Sequence, residues 1–430
     1  MQERVRAGGG GLVVELGYAE GWDLATRTPW RPLTAEAAGE RDAAGLPYVA
    51  EYRTPGREAP LEVRLVSWRE HHVGLWVYDE QGRRTHEVDY RLLDGDRLLT
   101  RRTRRWGYAG PEVPEFDEEA SRTTVTLFPD GRGRLVQEPK GSKGGSMQTT
   151  AEVTEAERWM DRPQFGSWPL LSAQVHGPAE PVAVRETAVA RPGADPQCEP
   201  ADRWRAPRPG EAGPLDALFR PGTRMTTSQY PEMTVVEPVR NGTLNVPSGL
   251  LGVDCPLDGR GPRLTVAVPP GTYPLEEARI AYGYHCPWDE CWVDCTETTA
   301  VRLRVSDTPA VSWEMLMAPE DDPRLLGEDE VYCFSTDGAT GAFADAEEWV
   351  ALQALFDRAM GSGDPDAGWT RTDPLSMFLA RTREPSSGAE LAAFAVTSDG
   401  GHPVWVGRSA DGDVVGVVVL VDGMPGLAAP

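Results

Sequence analysis

Period-two alternation between residues 59 and 154 is the pattern that most restricts what this chain can become. APLEVRLVSW (59–68), HVGLWVYDE (72–80), THEVDYRLLDGDRLLTRRTRRW (85–106), TTVTLFPDGRGRLVQE (123–138) and SMQTTAEVT (146–154) alternate apolar with polar residues. Successive side chains of a strand point to opposite faces, so each run buries one face only by joining a sheet. DEQG, LDGD, PDGRG and KGSKGG stand between the runs and supply the turns. A curved antiparallel sheet or a sandwich is the economical arrangement. Thr34, and Thr154 with Glu157 three residues on, have the pattern of caps on short helices.

Past residue 214 the chain is strand-rich again, with one helix predicted over 345–360. Asp345 fits an N-cap with Glu348 three positions on, and Trp349, Leu352, Leu355, Phe356 and Ala359 make one apolar face closed by Gly361. HPVWVGRS and DVVGVVVLVD, around an Ala-Asp-Gly turn, read as a terminal hairpin. Its second strand is apolar on both faces and belongs in the middle of a sheet. Residues 171–214 are dense in Pro, Gly, Ala and charge, which cannot nucleate a core. The expected fold is α+β, mainly β. It comprises an N-terminal β-meander domain (1–170), a linker (171–214) and a C-terminal β-rich domain (215–424) carrying the amphipathic helix. A chain of 430 residues is long enough for two or three cores, and 40% apolar residues with 14 Trp can fill them.

Charge narrows the partners. With 43 Lys and Arg against 67 Asp and Glu, the formal charge is −24 and the isoelectric point about 4.7. That surface repels phosphate backbones and anionic lipid, so nucleic acid and membrane are excluded as expected partners. It suits a protein partner, a basic one in particular, or a small ligand. Lys occurs only at 140 and 143, which leaves Schiff-base or phosphate-loop lysine chemistry two candidates. The first residues, MQERVRAGGGGLVVELG, lack the apolar segment of a secretory signal, and no run approaches a membrane span. The expected location is the cytoplasm, where the six cysteines would be thiols.

Five motifs then follow in one order: GTLNVPSGLLGVDCPL (242–257), VPPGTYPLEEARIA (268–281), VSWEMLM (311–317), STDGATGAFADAEEW (335–349) and SDGGHPVWVGRSADGDVVGVVVLVD (398–422). This order resembles the bacterial domain-of-unknown-function 4241 family over about residues 215–424. The resemblance places the family's acidic positions on Asp254, Asp337, Asp345, Asp399 and Asp422. Cys255 intrudes after Asp254, His402 replaces an aromatic and Gly423 replaces the closing Phe. The family brings no established activity.

The residues themselves offer three candidate sites. Asp254, Asp337 and Asp399 with His402 could form a catalytic, metal-assisted hydrolytic set if they converge. Turn and cap chemistry explains the same aspartates, because Asp before Gly favours Asx turns. In RRTRRW (101–106), Arg102 and Arg104 share one strand face beside Trp106, and that face could hold an anion or an acidic peptide. YHCPWDECWVDC (284–295) reads as a hairpin whose PWDE loop puts Cys286 opposite Cys291, close enough for a redox pair. Its C-x4-C-x3-C spacing is at the loose edge of a zinc pattern, so no metal is assigned. None of the six histidines sits in a metalloprotease or haem-attachment pattern, G-x-S-x-G is absent, and no cofactor motif is present. The leading expectation is a non-catalytic binding or interaction protein, with toxin neutralisation or defence as one setting; a hydrolase using the aspartates is the alternative.

Overall fold

The alternating runs of the first half pair with their sequence neighbours. In the computed structural model, which describes residues 13–168, 183–186, 199–213, 215–226, 232–286, 288, 290–362 and 376–421, the chain divides into two compact units. The chain is mainly β in several antiparallel sheets with few helices. Among the described residues no helix is long and apolar enough to cross a membrane.

The first unit comprises residues 1–208 and 323–327. Its twelve-stranded sheet runs in the order Met147–Glu152, Arg132–Glu138, Ser121–Leu127, Arg97–Gly107, Arg84–Leu92, His72–Tyr78, Glu62–Ser67, Tyr48–Arg53 and Val13–Asp23, with Trp159–Asp161 also on Arg97–Gly107 and Thr28–Leu33 also on Val13–Asp23. These neighbours are antiparallel, whereas Ala183–Glu186 adds to Val13–Asp23 in parallel. The three strands between 48 and 78 are almost wholly buried, and each face has its own core. One face packs Leu16, Tyr48, Tyr52, Val66 and Trp68, the other Trp22, Val63, Leu65, Trp76 and Tyr78. Burial on both faces also encloses charge. Arg64 and Glu62 are without exposure and pair with each other, the Arg64 guanidinium lying over the Tyr52 ring at 4.8 Å. Thr34 caps the helix Ala35–Ala43 by accepting from the Ala37 amide at 3.1 Å. Leu325, from much later in the chain, packs with Leu93 and Leu99 in this unit, and its carbonyl accepts from Arg101 Nε at 3.0 Å.

The second unit, residues 209–322 and 328–430, has two larger sheets and a small two-stranded one among its described residues. One runs Arg224–Met225, Met233–Val235, Gly271–Cys286, Cys291–Arg304, Val414–Leu420, Val404–Arg408 and Ser312–Met315, with Val239–Val246 also on Gly271–Cys286. The other runs Leu264–Ala267, Leu250–Asp254, Thr340–Asp345, Glu390–Ala395 and Phe378–Arg383. Leu244, Leu275, Leu303 and Val417 of the first meet Leu251, Val253, Phe343 and Phe394 of the second in one core. Val414–Leu420 is central: Val417 and Val419 face this core, Val418 and Leu420 a second one with Trp405 and Met233.

The helix differs from expectation at its start. It spans Trp349–Ser362, and Asp345 is the last residue of a strand. Asp345 is fully buried, and its carboxylate accepts from the Ser248 amide at 2.9 Å and the Glu347 amide at 3.1 Å. An Asx turn therefore stands where an N-cap was expected. Trp349, Leu352 and Phe356 still form the apolar face, packed on Ala344, Leu391 and Ala393.

Candidate functional site

Strand register gathers a pocket in the first unit. Glu87 stands opposite Arg104, and Trp106 opposite Arg122, so the four side chains share one face of three neighbouring strands. Phe116, from the loop after Gly107, lies against Trp106 with ring centroids 4.9 Å apart. Arg84 is held over Trp76 at 4.5 Å and over Phe116 at 4.4 Å. Together Arg84, Glu87, Arg104, Trp106, Phe116 and Arg122 line a cavity of about 440 Å³, which Asp117 and Glu118 also line.

Each arginine has a carboxylate within reach. Glu115 takes Arg84 Nε at 3.2 Å, and Glu138 takes Arg122 at 2.5 and 2.6 Å. The Arg122 guanidinium holds the Glu138 carboxyl below the usual carboxylate range. Arg104 lies 3.9 Å from Glu87, the longest of the three pairs. Arg102 is opposite Asp89 and does not line the cavity. Of the expected trio, Arg104 and Trp106 therefore share a pocket, and Arg84, Arg122 and Phe116 complete it. Those three leave no local pattern, since they come from separate strands and a loop whose register alternation does not specify.

The aspartates of the second unit sit around a small two-stranded sheet, Phe334–Thr336 with Gly400–His402. Asp337 is exposed in the turn that follows the first strand. Asp399 precedes the second, and its Oδ1 accepts from the Ala339 amide at 3.0 Å. His402 is buried, paired with Phe334 in the ladder, and its Nε2–H donates to the Ser398 carbonyl at 2.9 Å. Cys255 Sγ donates to Thr336 Oγ1 at 3.4 Å and ties the segment after Asp254 to this corner. Thr336 Oγ1 also accepts from the Gly338 and Thr340 amides.

Asp254 accepts from the Cys255 amide at 2.8 Å and the Arg263 amide at 2.7 Å, while burial pushes its carboxyl up despite those bonds. The corner thus gathers the turns, and Asp254, Asp399 and His402 engage backbone groups within it. Among the described residues no three His, Cys, Asp or Glu side chains lie together as metal ligands. Asp422 and Gly423 lie outside the described residues.

Cys286 and Cys291 are direct cross-strand partners, the last pair before the turn of the hairpin Gly271–Cys286 and Cys291–Arg304. Trp288 in that turn is 90% exposed and Trp292 beside it 66%.

Residues 244–419, the C-terminal part of the chain, match the model of a family described as "Protein of unknown function (DUF4241)". The N-terminal half is unmatched. No curated protein matches the chain. The acidic corner and the cysteine hairpin fall within the matched residues, and the arginine pocket precedes them.

Proposed function

We propose that the protein is a non-catalytic binding protein whose ligand site is the arginine pocket of the first unit. The observation that carries this reading is the convergence of three guanidinium groups and the Trp106–Phe116 pair on one cavity of about 440 Å³. Guanidinium groups bind carboxylates through paired N–H donors, and an aromatic wall accepts an apolar group. The ligand class is therefore a small carboxylate that also carries an aromatic or aliphatic group, free or as the side chains of an acidic peptide. Glu87, facing Arg104, is the carboxylate such a ligand would displace. The strongly acidic composition supports a basic protein as the larger partner, and the cytoplasm is the proposed place of action. Neutralisation of such a partner is one role consistent with that chemistry.

Calorimetric titration of the full chain with a Phe-Glu dipeptide tests the pocket. The expected result is saturable binding weakened about tenfold or more by Arg104→Ala, the loss of one charge-assisted pair. Trp106→Ala should weaken it as well. No saturable binding, or binding indifferent to both substitutions, would sink the proposal.

One observation favours a second reading, a metal-assisted hydrolase. The bonds from Ala339 to Asp399 and from Cys255 to Thr336 draw the turns of Asp254, Asp337, Asp399 and His402 to one corner. Elemental analysis of purified protein beside Asp337→Ala distinguishes the two. Stoichiometric divalent metal lost with Asp337 supports the hydrolase.

A further inference from the structure

The β-hairpin of Gly271–Cys286 and Cys291–Arg304 continues past the strands that flank it. Among the described residues, Met233–Val235 pairs with it as far as Tyr282, and Val414–Leu420 as far as Ala300, with the Val421 amide on the Thr299 carbonyl. At the far end the register pairs Tyr282 with Cys295, Tyr284 with Val293, and Cys286 with Cys291. Alternation puts Cys286, Cys291 and Cys295 on one face of the ribbon, with Trp292 on the other. Trp292 lies over Gly283, where a Cβ would meet its indole at 2.6 Å.

Only one of the three possible pairings on that face fits a disulfide. Directly opposed residues have Cα atoms about 4.5–5.5 Å apart, inside the range a disulfide accepts. Cys291 and Cys295 are four residues apart along a strand, about 13 Å, which no disulfide spans. Cys295 lies opposite Tyr282 and is packed with Tyr284 against an apolar cluster. Cys291 is exposed, whereas Cys286 is half-buried. The remaining described thiols are elsewhere: Cys255 is buried on Thr336, and Cys333 is packed against Gly401.

We infer that Cys286 and Cys291 form an oxidation site, with Cys291 reacting first with a peroxide and Cys286 resolving the product as a disulfide. The Cys291 thiolate attacks one peroxide oxygen, the O–O bond breaks, and water or an alcohol departs, leaving a sulfenic acid. The Cys286 sulfur then attacks the Cys291 sulfur. The S–O bond breaks, and hydroxide leaves as water with the Cys286 thiol proton. Two thiols lose one electron each, and the peroxide takes up both. The new bond closes the turn that displays Trp288, so oxidation fixes the most exposed tryptophan of the described residues in one presentation.

The test is hydrogen peroxide treatment of the full chain at neutral pH, followed by thiol counting and peptide mapping. Expected are the loss of two thiols per chain, a peptide cross-linked between Cys286 and Cys291, and recovery with dithiothreitol. Cys286→Ser should instead leave a sulfenic acid at Cys291 that dimedone traps, and Cys295→Ser should cross-link like the wild type. Far-UV circular dichroism confirms that each variant folds. Sulfinic acid at Cys291 without a cross-link overturns the inference, as does a bridge to Cys295 or one between chains.

Discussion

His72 Nε2 stands 3.3 Å from Asp89 Oδ1, on neighbouring strands of the first unit, with the Arg91 guanidinium 2.8 Å from the same oxygen. The Trp204 ring lies 5.8 Å from the imidazole and covers the group. Burial disfavours a charged Asp89, but His72 and Arg91 outweigh it and hold the carboxyl down at about 2. The pair is a structural one, since neither residue lines the arginine cavity.

That depressed value fixes the sign of an acid effect. Asp89 contributes stability above its unfolded pKa, near 3.8, and the contribution is lost as pH falls through about 2. Its size is about 2 kcal/mol, set by a shift of nearly two units. His72→Gln should weaken the carboxylate's support and move the onset of acid unfolding to higher pH. Urea midpoints measured between pH 5 and 2 check this, and an unchanged onset would count against the pairing.

Glu277 is the most heavily committed carboxylate of the second unit. It has no exposure, and its Oε1 accepts from Asn241 Nδ2 and Ser376 Oγ, both at 2.6 Å, and from the Met377 amide at 2.9 Å. Its Oε2 takes Arg279 Nη2 at 3.1 Å and Thr298 Oγ1 at 3.2 Å. Glu277→Gln turns an amide NH2 toward Arg279 and takes the carboxylate's charge away from a half-buried guanidinium. A loss of about 3 kcal/mol is expected from denaturant unfolding. A loss below roughly 0.5 kcal/mol would mean that the network is not formed in solution.

In the acidic corner, Asp399→Ala removes the acceptor of the Ala339 amide. The expected cost is about 1 kcal/mol, that of one exposed turn bond. Metal content by elemental analysis should match the wild type, as expected of a carboxylate employed in a turn. Stoichiometric metal that disappears with this substitution would move the conclusion to the hydrolase.

What the sequence discloses and what it hides divide along a physical line. Alternation and turn residues are local, so the meander from residue 59 to 154 and the Cys286–Cys291 opposition could be read directly. Val414–Leu420 announced its central place because it is apolar on both faces. Contacts set by register or by distant segments leave no local trace. Arg122 reaches Trp106 only through cross-strand pairing, and Leu325 joins Leu93 and Leu99 from over two hundred residues away. Asp345 misled for a different reason. The same side chain satisfies backbone amides equally well at a helix N-cap or in an Asx turn, and only the strand beside it decides.

The distinction at Asp345 is itself measurable. If the aspartate capped the helix, Asp345→Ala would fray the first turn, and the Leu352 amide, bonded to the Glu348 carbonyl at 2.9 Å, would exchange faster than the helix centre. In the structure the carboxylate instead serves Ser248 and Glu347, outside a helix that starts at Trp349. Asp345→Ala should therefore cost about 2 kcal/mol, the price of two amides left without an acceptor, one of them part-buried at Ser248. Asp345→Asn, which keeps one acceptor oxygen, should lose about half as much. Hydrogen exchange should accelerate at both Ser248 and Glu347 in Asp345→Ala, and at one of the two in Asp345→Asn, while Leu352 keeps its protection relative to the helix centre. Faster exchange at Leu352 with Ser248 unchanged would restore the N-cap and remove the Asx turn.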